Sequence, residues 1–336
     1  NAYALKDVLK KSLLLIPLFF TPYFFDTLRY TFHPDAFYLM LTALFFLAIL
    51  YGKESISLVI LFLLFLTRES TLLLGIIYAS LNWFRSKKLL ALAVLVTVGV
   101  SLYTVGAVQA IGKSNPHNLS GPIYLVSKLS YNFMTNALGI VPWINTSNRC
   151  DPAFKISLPP LKSFGAVQEI GFCGLDFSGP AKTLITLLTI FGIAPLVLFY
   201  IWKKRKNILK ELPFWMLLAL MYGAAHFILG VMAGTGVQRL VGYGWPAFLL
   251  VTPFLLQAFF KCDKKFVLKL ACIHLSVAWL PFIIQRVAGG IIFETAVIMF
   301  VALAMYAYAY RIMKKQETRR ELDFSSMCCD NHNHAN

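Results

Sequence analysis

Apolar residues run almost unbroken through long stretches of this chain, and polar residues come in short clusters between them. A helical run of about 20 apolar residues crosses the hydrocarbon core of a bilayer. The pattern predicts ten such segments, at 12–30, 35–51, 55–67, 71–84, 89–111, 181–202, 213–234, 241–260, 266–285 and 291–310. The third and fourth are short, and the first contains Pro17 and Pro22, so a re-entrant or broken helix is an alternative at these three. The predicted fold class is all-α, a polytopic integral membrane protein of about ten transmembrane helices. Residues 1–111 form an N-terminal helical part, 112–180 one long extracytoplasmic loop, 181–310 a C-terminal helical part and 311–336 a disordered tail.

The polar clusters between the runs orient the chain. With the N-terminus placed in the cytoplasm and strict alternation thereafter, 21 Lys and Arg fall on the cytoplasmic side. The short outer segments hold four: Arg29, Arg68, Arg239 and Arg286. The rest lie in the long connection, and long loops are largely exempt from the positive-inside bias. Both termini are therefore predicted to be cytoplasmic, and 112–180 extracytoplasmic.

Composition agrees with this picture and excludes a soluble fold. The chain is 58% hydrophobic with only 14% charged residues, against roughly 25% charged in ordinary soluble domains. Its mean hydropathy is +0.69. The formal charge of +16 does not point to nucleic acid, because runs such as "KKRK" (203–206) sit where cytoplasmic loops are predicted.

The long loop is punctuated by Pro, Gly, Asn and Ser and is expected to fold as a small cap. Cys150 and Cys173 both fall in it, on the oxidising side, and a disulfide between them would contribute roughly 3 kcal/mol. The alternative is two unpaired thiols in a buried corner. "NLS" (118–120) and "NTS" (145–147) fit the N-glycosylation sequon, for which chance is the simpler reading. Cys328, Cys329, His332 and His334 near the C-terminus match no standard zinc spacing, and a plain solvated tail is expected there.

Candidate chemistry gathers on the predicted outer face. "YTFHPDAFYLM" (30–40) puts His33 and Asp35 at the first outer turn, and "LTRES" puts Arg68, Glu69 and Ser70 at the second. Arg239 lies in "GTGVQR" and Arg286 in "QRVAGG", while Asp26 and Glu294 sit about one helical turn below the surface. Ionisable groups near hydrocarbon are costly unless paired or facing water, which makes them functional candidates. Guanidinium forks match phosphate oxygens, and a neighbouring carboxylate can take a proton from a hydroxyl. The combination points to a lipid phosphate handled at the outer leaflet. The structural alternative is that Arg68 and Glu69 are paired anchors and that Arg286 snorkels to the interface. His226 and His274, deep in their helices, are either proton relays or hydrogen-bonding groups across a helix interface. Gly230, Gly234 and Gly236 have the spacing that lets helices approach closely.

Residues 32–71, "FHPDAFYLMLTALFFLAILYGKESISLVILFLLFLTREST", resemble a stretch of the GT-C superfamily of polytopic glycosyltransferases. In that family an acidic residue opens a helix, a short basic turn follows, and a second helix ends in an Arg-Glu or Lys-Glu pair. "GVQRLVGYGWPAFLLVTPFLL" (236–256) also resembles the family's late element, in which an arginine precedes an aromatic-Pro helix start. The resemblance implies transfer of a sugar from a polyprenyl-phosphate donor to an acceptor hydroxyl at the extracytoplasmic face of the cell envelope. Asp35 and Glu69 would be the acidic residues of the site. His33, Arg68, Arg239, Arg286 and Glu294 would bind substrate, with Arg239 near the donor phosphate. The family's best-known acid lies in a long first outer loop, and the turn around His33 is far shorter. The main base is then expected upstream of Asn1, or the protein is a non-catalytic relative. No cofactor is certain, and a divalent metal stays open. The competing readings are a transporter or lipid flippase using His226, His274 and Glu294, and a non-enzymatic assembly subunit.

Overall fold

The computed structural model describes residues 20–29, 34–68, 70–83, 86–112, 129–144, 155–157, 169–204, 212–232, 237–260, 263–287 and 291–333. Helix dominates. Among the described residues, three helices, Phe214–Met232, Lys265–Ile284 and Thr295–Thr318, are long and apolar enough to cross a membrane. A fourth span results if the bent pair Ser178–Phe191 and Ala194–Lys204 is one. Asp35–Leu50, Glu54–Thr67, Thr71–Asn82 and Trp245–Phe259 are apolar but shorter.

The chain divides into two compact units that interleave along the sequence. One comprises Tyr30–Thr186 and Leu218–Ala247, the other Asn1–Arg29, Leu187–Leu217 and Phe248–Asn336.

The first unit opens with α1 (Pro34–Leu50), α2 (Glu54–Thr67), α3 (Thr71–Asn82) and α4 (Lys87–Gly112). Pro34 starts α1 where its missing N–H costs nothing, and Asp35 in the first turn opposes the helix dipole favourably. The helix stops at Gly52, whose φ of +67° is open to glycine at little cost. Gly52 N–H donates to the Ile49 carbonyl at 3.0 Å and Lys53 N–H to the Ala48 carbonyl at 2.8 Å. This is the paired closure of a Schellman end, and it turns the chain directly into α2.

α2 ends at Arg68, which is extended (φ −154°, ψ 135°). The Leu64 carbonyl accepts the Arg68 N–H at 3.0 Å and also the hydroxyls of Thr67 and Thr71, at 2.7 and 2.9 Å, which tie both sides of the break to one oxygen. α3 packs on α4 through Gly75, where a Cβ would collide with Thr97 Oγ1. The core behind α1 is aromatic: Tyr38, Phe45, Phe46, Tyr78, Tyr222 and Tyr243 are all buried. Phe45 meets Phe46 and Tyr78 edge-on, with ring centroids 5.6 and 5.5 Å apart.

Within the predicted loop lies a three-stranded antiparallel sheet of β1 (Ile140–Ile144), β2 (Lys155–Ser157) and β3 (Glu169–Leu175), ordered β1-β3-β2. A bulge at Val141/Pro142 accommodates the proline, which cannot donate to a ladder. Cys173 on β3 is disulfide-bonded, while Cys150 lies outside the described residues. α5 (Ser178–Phe191) and α6 (Ala194–Lys204) follow, then α7 (Phe214–Met232) and α8 (Val237–Gly242). Gly230 on α7 sits so close to Val241 that a Cβ would meet its backbone nitrogen at 2.6 Å.

The second unit holds the short helix Pro22–Arg29 and α6, then α9 (Trp245–Phe259), α10 (Lys264–Val287) and α11 (Ile291–Asn333). The predicted span 181–202 is not one helix. It breaks between α5 and α6, which meet at 85°. Gly192 takes φ +50° there, with its Cα against the His274 ring. Tyr306 Oη donates to the Gly192 carbonyl at 2.6 Å, and Ile193 N–H donates to His274 Nδ1 at 3.3 Å, so the broken backbone is paired. The predicted span 241–260 likewise begins only at Trp245, after the separate α8. The stretch from 311, expected as a disordered tail, is helical as far as Asn333 and continues α11. Tyr200 Oη donates to Glu317 at 2.5 Å and Lys204 pairs with it at 3.1 Å, which holds that extension against α6.

Candidate functional site

Asp35 is the centre of the polar cluster in the first unit. Arg68 Nη2 donates to Asp35 Oδ1 at 2.5 Å, and Tyr243 Oη donates to the same oxygen at 2.6 Å. Arg239 Nε lies 2.6 Å from Asp35 Oδ2 and donates to Tyr243 Oη at 3.1 Å. Three elements supply these groups: the first turn of α1, the extended residue after α2, and α8 with the residue that follows it. The helix break explains why Arg68 can reach Asp35. One extended residue takes its side chain out of the apolar pattern of α2.

Burial sorts the members. Asp35 and Arg68 are 15% and 16% exposed, whereas Arg239 is 41% exposed. Two guanidinium groups around one carboxylate leave these described groups net positive. Arg68 Nε is buried with no partner among the described residues. Burial works against the Arg239 charge, but Tyr243 and Asp35 outweigh it and hold the guanidinium pKa above its ordinary value. Both Asp35 oxygens already accept hydrogen bonds or ion pairs, which suits the carboxylate to fixing the arginines rather than to taking a proton.

An aromatic wall backs the cluster. The Tyr38 and Tyr222 hydroxyls are 2.9 Å apart, and the Tyr38 ring meets Tyr243 edge-on at 4.8 Å. His226 stands between Tyr222 and Tyr243, with ring centroids 4.6 and 5.7 Å away. Its Nδ1 lies 3.1 Å from the Leu240 carbonyl oxygen.

Of the residues predicted for the site, Asp35, Arg68 and Arg239 come together. His33 and Glu69 lie outside the described residues. Arg286 falls on α10 and Glu294 on α11, both in the second unit. Asp26 falls on the short helix Pro22–Arg29 of that unit. Tyr243 joins the cluster as a residue that the sequence does not mark as a site residue by charge. Its signal was there, four residues after Arg239, which is the spacing that stacks side chains on one helical face. Among the described residues, no group of three His, Cys, Asp or Glu side chains converges to hold a metal. No protein-family model matches the chain, and neither a characterised protein nor a solved structure resembles it.

Proposed function

We propose that this chain is a polytopic membrane enzyme that takes a polyprenyl-phosphate sugar at its outer face and transfers the sugar to an acceptor hydroxyl. In this reading the ten predicted segments lie in the bilayer, both termini are cytoplasmic, and residues 112–180 cap the site.

The observation that carries the reading is the state of Arg239. Its contacts with Asp35 and Tyr243 both run through Nε, while the side chain stays 41% exposed. The guanidinium is thus held in a fixed orientation with surface left for an oxyanion. A net positive cluster at the lip of apolar helices suits the phosphate of a membrane-borne donor. Asp35 orients the two arginines, and the base that accepts the hydroxyl proton is sought elsewhere, with Glu69 the first residue to test.

The test uses the full chain in proteoliposomes supplied with radiolabelled polyprenyl-phosphate hexoses and pentoses. Wild type is expected to consume one of these donors, and Arg239→Ala to lose that consumption while inserting normally. Arg239→Lys is not expected to rescue it, because an ammonium does not reproduce the fork. Equal consumption by wild type and Arg239→Ala would remove the arginine from the donor site.

A further inference from the structure

Three helices of the second unit, α6, α10 and α11, bring their polar ends together. Tyr200 on α6 packs against Phe260, just after α9, and against Tyr310 on α11, with ring centroids 5.6 and 5.0 Å away. Its hydroxyl donates to Glu317 Oε2, and Lys204 Nζ lies 3.1 Å from the same oxygen. Asp263 caps α10 by accepting the Phe266 N–H on Oδ1 at 2.6 Å, and Gln316 Nε2 donates to its Oδ2 at 3.4 Å. Asp263 and Glu317 are thus turned inward and engaged by the fold itself.

The cations of this end stay outside. Lys203, Lys265, Arg311 and Lys315 are all exposed. Each has an apolar or aromatic neighbour on its own helical face, toward the apolar length of its helix. Phe199 lies four residues before Lys203, Leu268 three after Lys265, and Tyr308 three before Arg311 and seven before Lys315. Phe199, Leu268 and Tyr308 are each more than half exposed, and so is Trp202, whose ring centroid is 6.3 Å from that of Phe199. The bias of basic residues toward cytoplasmic segments accounts for cations here. It does not ask that carboxylates be withdrawn from among them, or that an exposed apolar side chain accompany them on every helix. A partner that fits this rim carries negative charge with an apolar body one helical turn, about 5 Å, below it. A nucleic acid or an acidic peptide offers only the charge. A phospholipid with a net negative headgroup offers both, and basic clusters at the ends of spanning helices suit such headgroups.

We propose that this rim selects anionic phospholipids, their headgroup phosphates on Lys203, Lys265 and Lys315 and their chains along Phe199, Leu268 and Tyr308. The selection is separate from the cluster at Asp35 and stands whether or not the chain transfers sugar.

The experiment uses the full chain in phosphatidylcholine vesicles with a trace of spin-labelled phosphatidylglycerol or spin-labelled phosphatidylcholine. The fraction of motionally restricted probe in the electron spin resonance spectrum gives the relative affinity of the two lipids. Wild type is expected to prefer phosphatidylglycerol by about fivefold or more, the equivalent of one lysine at a membrane surface. Molar salt should abolish the preference. Lys203→Gln combined with Lys315→Gln is expected to lose most of it, whereas Lys203→Arg combined with Lys315→Arg keeps it. Lys87→Gln combined with Lys88→Gln removes the same charge from exposed positions on α4 and is expected to leave the preference unchanged. Free glycerophosphoglycerol, a headgroup without chains, is not expected to compete.

Equal affinity of wild type for the two lipids overturns the proposal, as does a preference that survives in the glutamine pair. An equal fall in the Lys87 and Lys88 pair would reduce the effect to bulk charge and refute the rim. Competition by the free headgroup would make this a site for soluble phosphates and refute it as well. Should the glutamine pair not fold, wild type in molar salt decides, and a preference that persists there refutes the lysines.

Discussion

Arg68 Nη2 lies 2.5 Å from Asp35 Oδ1 across 33 positions of sequence, and both side chains are about 85% buried. Removing one partner of such a pair leaves the other as an uncompensated charge in a low-dielectric setting. Asp35→Ala is therefore expected to destabilise the chain by about 3 kcal/mol. Arg239→Ala, at a half-exposed position, should cost under ~1 kcal/mol. Thermal unfolding in detergent measures both. An Arg239→Ala variant less stable than Asp35→Ala would show that the cluster is centred differently.

Tyr243→Phe removes the hydroxyl that Asp35 accepts and keeps the ring contacts with Tyr38 and His226. A hydrogen bond to a charged group is worth about 1.5–3 kcal/mol. Combined with Asp35→Asn, the change should be markedly non-additive, since both substitutions disturb one network. A double-mutant cycle whose effects simply add would separate the tyrosine from the carboxylate.

Gly192→Ala forces a side chain into φ +50° and against the His274 ring. A loss of more than about 1 kcal/mol is expected. In a His274→Ala background the collision disappears and only the backbone strain remains, so the penalty should fall. A penalty unchanged in that background would mean that the ring gives way on its own.

Cys173 is disulfide-bonded, and the loop spacing makes Cys150 its expected partner. Peptide mapping without reductant should recover a linked pair containing both residues. Recovery of Cys173 joined to any other cysteine would refute the pairing. Cys173→Ser is expected to cost about 2–4 kcal/mol, read as lower protease resistance of the β1–β3 sheet.

Three of the site residues were visible in the sequence because they break the apolar pattern at helix ends, where an ion is costly enough to need a reason. Asp35, Arg68 and Arg239 all have that signature. Tyr243 did not, since a tyrosine passes as one more apolar residue and its carboxylate partner is 208 positions away. From the sequence His226 suits a relay or a hydrogen-bonding group across a helix interface, and its Nδ1 contact with Leu240 fits the second. The break at Gly192 escaped because hydropathy averages side chains and cannot register a change in backbone sign. Both sides of that glycine are equally apolar, so the stop is written only in Gly192 and in Pro195 three residues on, and not in hydropathy.

The same arithmetic limits what this region can absorb. Tyr222, His226 and Gly230 follow one another at intervals of four on α7, and Arg239 and Tyr243 keep that interval beyond it. Each added or deleted residue turns everything downstream by roughly 100° about a helix axis, given 3.6 residues per turn. A substitution here removes one atom group. A single-codon insertion between His226 and Gly230 would swing the tight contact with Val241 onto a bulkier side chain. The distances from Tyr222 to Gly230 and from Arg239 to Tyr243 are fixed by helical phase, and chain length here is as constrained as residue identity.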